Sequence, residues 1–138
     1  MKLQAINLVL AERIVFEGKI AHDHLPEVIR SFDVFVALSR AESFGVAVVE
    51  AMAVGCPVVV SDAPGFTEIV KSGESGLIVK RENPQQASEA MEILVNDDAL
   101  RTILAQNGEK RVRELYDWDK NVEDMIEIYQ EIVEERNV

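Results

Sequence analysis

Cysteine, basic residues and long apolar runs are all scarce in this chain of 138 residues. The single cysteine, Cys56, cannot form an internal disulfide, so we expect a reducing, cytoplasmic setting. Lys and Arg number 14 against 25 Asp and Glu, for a formal net charge of -11. Such an acidic surface repels phosphates, and no nucleic acid is expected as a partner. The longest apolar stretch, residues 44–60, is broken by two glycines, a glutamate and a proline, which predicts no membrane span.

Short apolar runs alternate with helical patterns, which predicts βα units and a parallel sheet. Strands are predicted at residues 13–17, 33–39, 58–61 and 77–80. Helices are predicted at residues 3–12, 23–32, 44–54, 66–71, 86–96, 99–115 and 119–135. About four strands make a small sheet for a doubly wound domain. We therefore expect one α/β domain over residues 1–138, incomplete at its N-terminal end, with a helical C-terminal tail.

Two glutamates flank the start of one predicted helix. Glu42 lies in the loop that follows a strand, and Glu50 lies about two turns inside the helix. That loop is at the carboxyl end of the strand, the edge where open α/β sheets bind ligands. The two carboxylates are expected about 10–12 Å apart, with the N–H groups of Phe44, Gly45 and Val46 between them. This spacing favours a ligand with an anionic middle and hydroxylated ends, such as a nucleoside diphosphate sugar.

Each part of such a ligand has a candidate partner in the chain. Glu50 is predicted to accept hydrogen bonds from the ribose hydroxyls, and Glu42 to reach the sugar. The N–H groups at the positive end of the helix are predicted to receive the diphosphate, and Gly45 to let the ligand approach the backbone closely. Ser43 is predicted as an N-cap of the helix, as a ligand contact, or as both.

Several segments carry the pattern of a known family. Glu42-Ser43-Phe44-Gly45 and Glu50-Ala51-Met52-Ala53, with seven residues between the two glutamates, are similar to the E-x7-E region of the group 1, or family 4, glycosyltransferases. Residues 13–18, residues 68–79 and Tyr116-Asp117-Trp118 also resemble segments of that family, in the same order and at similar spacing.

The resemblance implies a Rossmann-like, C-terminal GT-B domain, with a short parallel sheet flanked by helices. It implies a retaining transferase that uses a nucleoside diphosphate sugar as substrate and needs neither a cofactor nor a metal. Glu42 matches the catalytic glutamate near the transferred sugar, and Glu50 matches the ribose-binding glutamate. Phe44, Gly45 and Val46 match the backbone donors to sugar and phosphate. Further donor-side positions are implied beside the base and around the mouth of the site: Lys19, Ile20, Ser39 and Arg40.

Two motifs look like metal sites, but no metal is predicted at either. His22 and His24 flank Asp23, yet nothing in the sequence supplies a third ligand. A loop in which Asp23 caps the next helix is favoured instead. Asp117-Trp118-Asp119 spells the Asp-x-Asp pattern of metal-dependent glycosyltransferases, but it opens a helix and follows no strand. A capping role beside a buried Trp118 is therefore favoured. Cys56 is predicted to be a small, packed hydrophobic residue.

The resemblance also implies parts that this chain is expected to lack. These are the Arg and Lys that clamp the diphosphate and an N-terminal domain that binds the acceptor. Because these cations stabilise the leaving group, the chain alone is expected to be inactive or nearly so. A partner chain, or self-association through an unpaired sheet edge, is expected. The alternatives are a non-catalytic nucleotide-sugar-binding or regulatory module, for which Glu50 suffices without Glu42, and a related GT-B enzyme such as an epimerase or phosphorylase.

Overall fold

A computed structural model describes residues 11–136 of the chain, with three strands and six α-helices among them. Two short 3-10 turns, Ala11–Arg13 and His22–His24, precede these elements. The elements, in chain order, are α1 (Leu25–Arg30), β1 (Phe35–Ala37), α2 (Val46–Ala53), β2 (Val58–Ser61), α3 (Pro64–Ile69), β3 (Leu77–Val79), α4 (Pro84–Asn96), α5 (Asp98–Leu115) and α6 (Trp118–Arg136).

The sheet is parallel throughout and has the order β1-β2-β3. Val36 of β1 pairs with Val59 of β2, and Val60 of β2 pairs with Ile78 of β3. Helices connect the strands, as parallel pairing requires. The predicted short parallel sheet flanked by helices is therefore confirmed, although three strands, not four, are present in residues 11–136.

The central strand β2 separates two apolar layers. Its side chains alternate between the two faces of the sheet, so Val58 and Val60 join one layer and Val59 joins the other. The first layer contains buried residues of α2 and α3, and these are Val48, Ala51, Met52, Phe66 and Ile69. The second layer contains buried residues of α4 and α5, namely Ala87, Ala90, Leu94 and Leu104. This packing fixes α2, which carries Glu50, against one face of the sheet.

The strand predicted at residues 13–17 is wrong. Arg13 ends a 3-10 turn, and residues 14–21 have no regular secondary structure. The β-branched residues suggested a strand, but Val15 is 77% exposed. Strand propensity reflects packing on a partly buried sheet surface, which this segment does not have. Most of the helix predicted at residues 3–12 lies outside the described residues.

The predicted helix caps have mixed outcomes. The side chain of Asp117 accepts a hydrogen bond from the backbone N–H of Lys120, so its capping role in α6 is confirmed. Trp118 is 77% exposed, so its predicted burial is wrong. Asp23 lies inside the turn His22–His24 and does not occupy an N-cap position. Its predicted capping role is therefore also wrong.

Cys56 is buried among apolar side chains, as predicted. Removal from water disfavours the thiolate and raises the pKa of the Cys56 thiol to about 11.

Among the described helices, none is both long and apolar enough to cross a membrane.

Candidate functional site

The predicted site lies at the carboxyl edge of the sheet. Ser39, Arg40 and Glu42 follow β1 in the loop that leads to α2. Asp62 follows β2 and Arg81 follows β3 at the same edge, because all three strands are parallel. Ligands of open α/β sheets bind at this edge, so the fold brings the candidate residues of the β1–α2 loop to the expected side of the molecule.

A buried serine fixes the start of the β1–α2 loop. The hydroxyl of Ser61, which is 1% exposed, donates to the carbonyl oxygen of Ser39 at 2.7 Å. The hydroxyl oxygen of Ser61 in turn accepts a hydrogen bond from the backbone N–H of Ser39 at 3.0 Å. One side chain therefore satisfies both backbone groups of Ser39. This role of Ser61 was not predicted from the sequence, in which the only indication of it is a hydroxyl at the last position of the apolar strand β2.

The Glu42 carboxylate folds back onto its own loop. Its Oε1 atom accepts hydrogen bonds from the backbone N–H groups of Ser43 at 3.0 Å and Phe44 at 3.3 Å. Its carbonyl oxygen accepts a third from the N–H of Gly65 at 3.0 Å. The N–H of Phe44, predicted to face the ligand, is thus engaged by Glu42. Ser43 does not cap α2, so that part of its prediction is wrong.

Gly45 is the N-cap residue of α2. Its φ of 91° lies in the left-handed region, and its carbonyl oxygen accepts from the N–H groups of Val48 and Val49. A Cβ atom at Gly45 would lie 2.8 Å from Cδ1 of Phe66, so this side of the glycine is filled by α3. Glycine at this position thus allows both the left-handed turn and the close packing of α3. The predicted close approach of a ligand to Gly45 stays a prediction.

The start of α2 keeps unused hydrogen-bond donors. The first N–H groups of any α-helix have no acceptor inside the helix. Within the described part of the chain, the N–H groups of Gly45 and Val46 have no protein acceptor either. Gly45 is buried, while Val46 is exposed. These two groups can donate to an anion or to a hydroxylated ligand.

Glu50 lies in the second turn of α2, and its side chain is 30% exposed. Its Oε1 is 3.8 Å from Nδ1 of His22, which the sequence analysis had assigned only to a loop. A hollow of about 160 Å³ adjoins Glu50 and is otherwise almost wholly apolar, with Leu25, Pro26, Ile29, Ala53 and Val54 in its wall. The carboxylate of Glu50 can thus accept hydrogen bonds from a ligand that also packs on the apolar wall of the hollow.

Lys19 and Ile20 precede the turn that contains His22. Lys19 is exposed and Ile20 is half-buried. Neither has a hydrogen bond or ion pair with another described residue of the candidate site. Their predicted position beside the base of a nucleotide stays a prediction.

Arg40 belongs to a polar network across the loops that follow the three strands. Its Nε pairs with Oε1 of Glu82 at 2.9 Å. Its carbonyl oxygen accepts from Nη1 of Arg81 at 3.1 Å. The backbone N–H of Arg81 donates to Oδ1 of Asp62 and lowers the pKa of that carboxyl. Arg40 and Ser39 also line a cleft of about 380 Å³ at the carboxyl edge of the sheet.

The residues of the two possible metal motifs give no ligand cluster. In the part of the chain that the structure describes, no three His, Cys, Asp or Glu side chains are grouped so that they could hold a metal ion.

Comparison with known proteins relates this arrangement to one family. The sequence profile described as "Glycosyl transferases group 1" matches residues 1–111. An uncharacterized glycosyltransferase of Methanocaldococcus jannaschii is 34% identical over 123 residues, which cover 89% of this chain and 32% of that relative. The chain thus spans about a third of the length of the curated relatives that it matches.

Solved structures give the same assignment. The C-terminal domain of LpcC, a glycosyl transferase group 1 family protein from Francisella tularensis, matches with a TM-score of 0.76 and 33% identity, covering 83% of this chain and 60% of that one. Anabaena HepE in complex with UDP-glucose matches with a TM-score of 0.85 and 25% identity, covering 94% of this chain and 35% of HepE. The profile covers most of the sequence and the fold agrees with it, so the chain belongs to the group 1 glycosyltransferases.

Proposed function

We propose that this chain binds a nucleoside diphosphate sugar, as the C-terminal, donor-binding domain of a retaining, metal-independent GT-B glycosyltransferase. One observation carries the proposal. The N–H groups of Gly45 and Val46 have no acceptor among the described residues, while Glu42 precedes them and Glu50 follows them. The complex of HepE with UDP-glucose supports this class of ligand, because HepE and this chain share a fold.

The donor would lie along the start of α2. The half-buried carboxylate of Glu50 would accept hydrogen bonds from the two ribose hydroxyls. The diphosphate would accept hydrogen bonds from the N–H groups of Gly45 and Val46, at the end of the helix where the dipole favours negative charge. Lys19 and Ile20 would lie beside the base, as the family resemblance implies. Hydrogen bonds to the diphosphate would stabilise the negative charge that develops on the leaving group. The start of α2 would thus contribute electrostatic stabilisation of the transition state.

Glu42 would act on the sugar. Its Oε1 atom accepts from the N–H groups of Ser43 and Phe44, which leaves Oε2 to accept hydrogen bonds from sugar hydroxyls. If both carboxylate oxygens turned to the sugar, the N–H of Phe44 would become free to donate to the ligand. Ser39 and Arg40 would border the sugar end of the site, because they line the adjacent cleft.

The proposal assigns acceptor binding and the cations that clamp the diphosphate to sequence outside these 138 residues, supplied by the same protein or by a partner chain. The isolated chain would then bind the donor but transfer it slowly or not at all. An ordinary rate of glycosyl transfer by the chain alone would contradict this division of roles. A reducing, cytoplasmic setting fits the proposal, since the lone thiol of Cys56 has no disulfide partner.

A second candidate is a nucleotide-sugar-binding or regulatory module that performs no transfer. Such a module needs Glu50 and the N–H groups of α2, whereas Glu42 is required only when the sugar is held for reaction. Reconstitution with the missing N-terminal part of a group 1 enzyme separates the two candidates. Transfer by the wild-type pair and its loss in Glu42→Gln would support the enzyme, while donor binding without transfer would support the module.

The direct test is calorimetric titration of the chain with UDP-glucose, GDP-mannose and ADP-glucose. One of these donors is expected to bind the wild-type chain. Glu50→Ala should weaken that donor by at least roughly 10- to 100-fold, because even one hydrogen bond to a carboxylate is worth about 1.5–3 kcal/mol. Glu92→Ala, at an exposed position of α4, is the matched control and should leave the affinity unchanged. Equal affinities in the two variants, or no binding to wild type at millimolar donor, would refute the proposal.

A further inference from the structure

The end of α5 makes an aromatic contact with the candidate site. The ring of Tyr116, at the C-cap of α5, packs edge-to-face against Phe44 with 5.4 Å between the centroids and 72° between the planes. Phe44 lies between Glu42 and the N-cap Gly45, in the middle of the loop that carries the candidate ligand-binding N–H groups. Among the described residues, Tyr116 is the one aromatic residue whose ring pairs with that of Phe44, while the ring of Phe66 packs on the neighbouring Gly45.

Phe44 is only partly enclosed by the protein. The residue is 45% exposed, and the ring of Tyr116 packs against its ring. The backbone N–H of Phe44 donates to Glu42. The edge-to-face contact with Tyr116 involves the side chain of Phe44 and does not depend on that bond. An aromatic pair of this geometry adds stabilisation beyond the burial of its area.

The C-terminal part of α5 is also anchored to α3, which contacts the same loop. Arg111 donates hydrogen bonds to the carbonyl oxygens of Glu68 and Ile69 near the end of α3. At the beginning of α3, the N–H of Gly65 binds the carbonyl oxygen of Glu42. Tyr116 therefore projects from a part of α5 that is fixed relative to α3 and to the loop.

We propose that Tyr116 is a positioning residue, which orients Phe44 and thereby the peptide N–H groups of residues 44 and 45 toward the phosphate and sugar of the donor. The inference rests on the proposed function and deepens it. Tyr116 acts on the phosphate–sugar end and leaves the ribose end at Glu50 unaffected. It acts through its ring, and its hydroxyl is not required.

The test compares Tyr116→Phe, Tyr116→Leu and Tyr116→Ala with Tyr129→Ala, a control on the exposed face of α6. Each variant is titrated with a donor and its nucleoside, either UDP-glucose with uridine or GDP-mannose with guanosine, whichever pair the wild type binds. Tyr116→Ala and Tyr116→Leu should weaken the sugar nucleotide about three- to tenfold and leave the nucleoside unchanged. Tyr116→Phe and Tyr129→Ala should match wild type for both ligands.

A ligand-free measurement accompanies the titrations. Amide hydrogen exchange should become faster at residues 43–45 in Tyr116→Ala and Tyr116→Leu, with thermal unfolding reporting whether each variant is folded. Unchanged exchange at residues 43–45, loss of affinity in Tyr116→Phe, or parallel losses for donor and nucleoside would overturn the inference. No binding by the wild-type chain would instead refute the proposed function, and the exchange result would still decide whether Tyr116 orders the loop.

Discussion

Gly65→Ala tests how closely α3 is packed against the candidate site. A Cβ atom at Gly65 would lie 2.7 Å from the backbone nitrogen of Phe44 and 2.8 Å from the carbonyl oxygen of Glu42. Both neighbours are backbone atoms, so no flexible side chain can move aside. The methyl group must therefore push the loop away from α3 and lengthen the hydrogen bond from Gly65 to Glu42, which is 3.0 Å in the structure.

The expected change in the free energy of unfolding of Gly65→Ala has the opposite sign to that of a Gly→Ala substitution at an ordinary helical position. Replacing Gly by Ala inside a helix normally stabilises it by about 0.5–1 kcal/mol. At Gly65 the overpacking costs about 1–3 kcal/mol, and the weakened hydrogen bond costs up to about 1 kcal/mol. The mid-range values of these terms give a net destabilisation of about 2 kcal/mol. In a domain of this size each kcal/mol corresponds to a drop in Tm on the order of 4 °C.

Gly108→Ala is the matched control. Gly108 also lies inside a helix, α5, and a Cβ atom there would be 3.2 Å from the carbonyl oxygen of Ser75 and 3.5 Å from Cε of Met52. This mild crowding roughly offsets the helical gain, so the free energy of unfolding should change by less than about 1 kcal/mol. Urea denaturation and donor titration should show a less stable, weaker-binding Gly65→Ala protein. A Gly65→Ala protein that is as stable as wild type, or more stable, would refute the close packing of α3 on the loop.

Three further predictions concern the described residues around the site and α6. Ser61→Ala should lower the free energy of unfolding by about 1–3 kcal/mol in urea denaturation, because both backbone groups of a neighbouring loop residue lose their partner; Ser88→Ala, on an exposed face, should change it by less than about 0.5 kcal/mol. The lowered pKa of Asp62 means that its carboxylate stabilises the fold above the ordinary carboxyl pKa and loses this effect as the pH falls through the lower, folded-state pKa. Stability measured from about pH 5 to pH 2 should therefore fall less steeply in Asp62→Asn, and an unchanged slope would contradict this. Trp118, the single tryptophan, should emit like a solvent-exposed indole and be quenched readily by acrylamide, whereas a blue-shifted and protected emission would mean that the apolar face of α6 is covered.

The sequence predicts elements well where local signals agree. The strand Val58–Ser61 matches its prediction at both ends, because an apolar run is bounded by Pro57 and by a polar turn. The end of α5 at Leu115 is also as predicted. The start of α3 is not, since a helix was predicted from residue 66 and it begins two residues earlier, at Pro64. Proline is tolerated at that position because the first N–H groups of a helix have no internal acceptor.

The residues that support the site are harder to predict than those proposed to bind the ligand. Glu42 and Glu50 stand out because each is a carboxylate in or beside an apolar helix. Ser61 and Tyr116 act through contacts with residues far away in the sequence. Their positions become visible only when the packing of β2 and α5 is known, because a single serine or tyrosine has no local pattern that indicates a distant partner.

The β1–α2 loop depends on three separate supports. Ser61 from β2 holds its beginning, Gly65 from α3 holds Glu42, and Tyr116 from α5 packs on Phe44. Ser61 and Gly65 lie in or beside the apolar core, whereas the candidate N–H donors belong to the backbone and survive any substitution except one to proline. Other side-chain changes can therefore affect these donors only by moving the loop. A binding defect that follows substitution of Ser61, Gly65 or Tyr116, with Glu42 and Glu50 intact, is thus the result expected if the proposed ligand is held by backbone N–H groups of this loop.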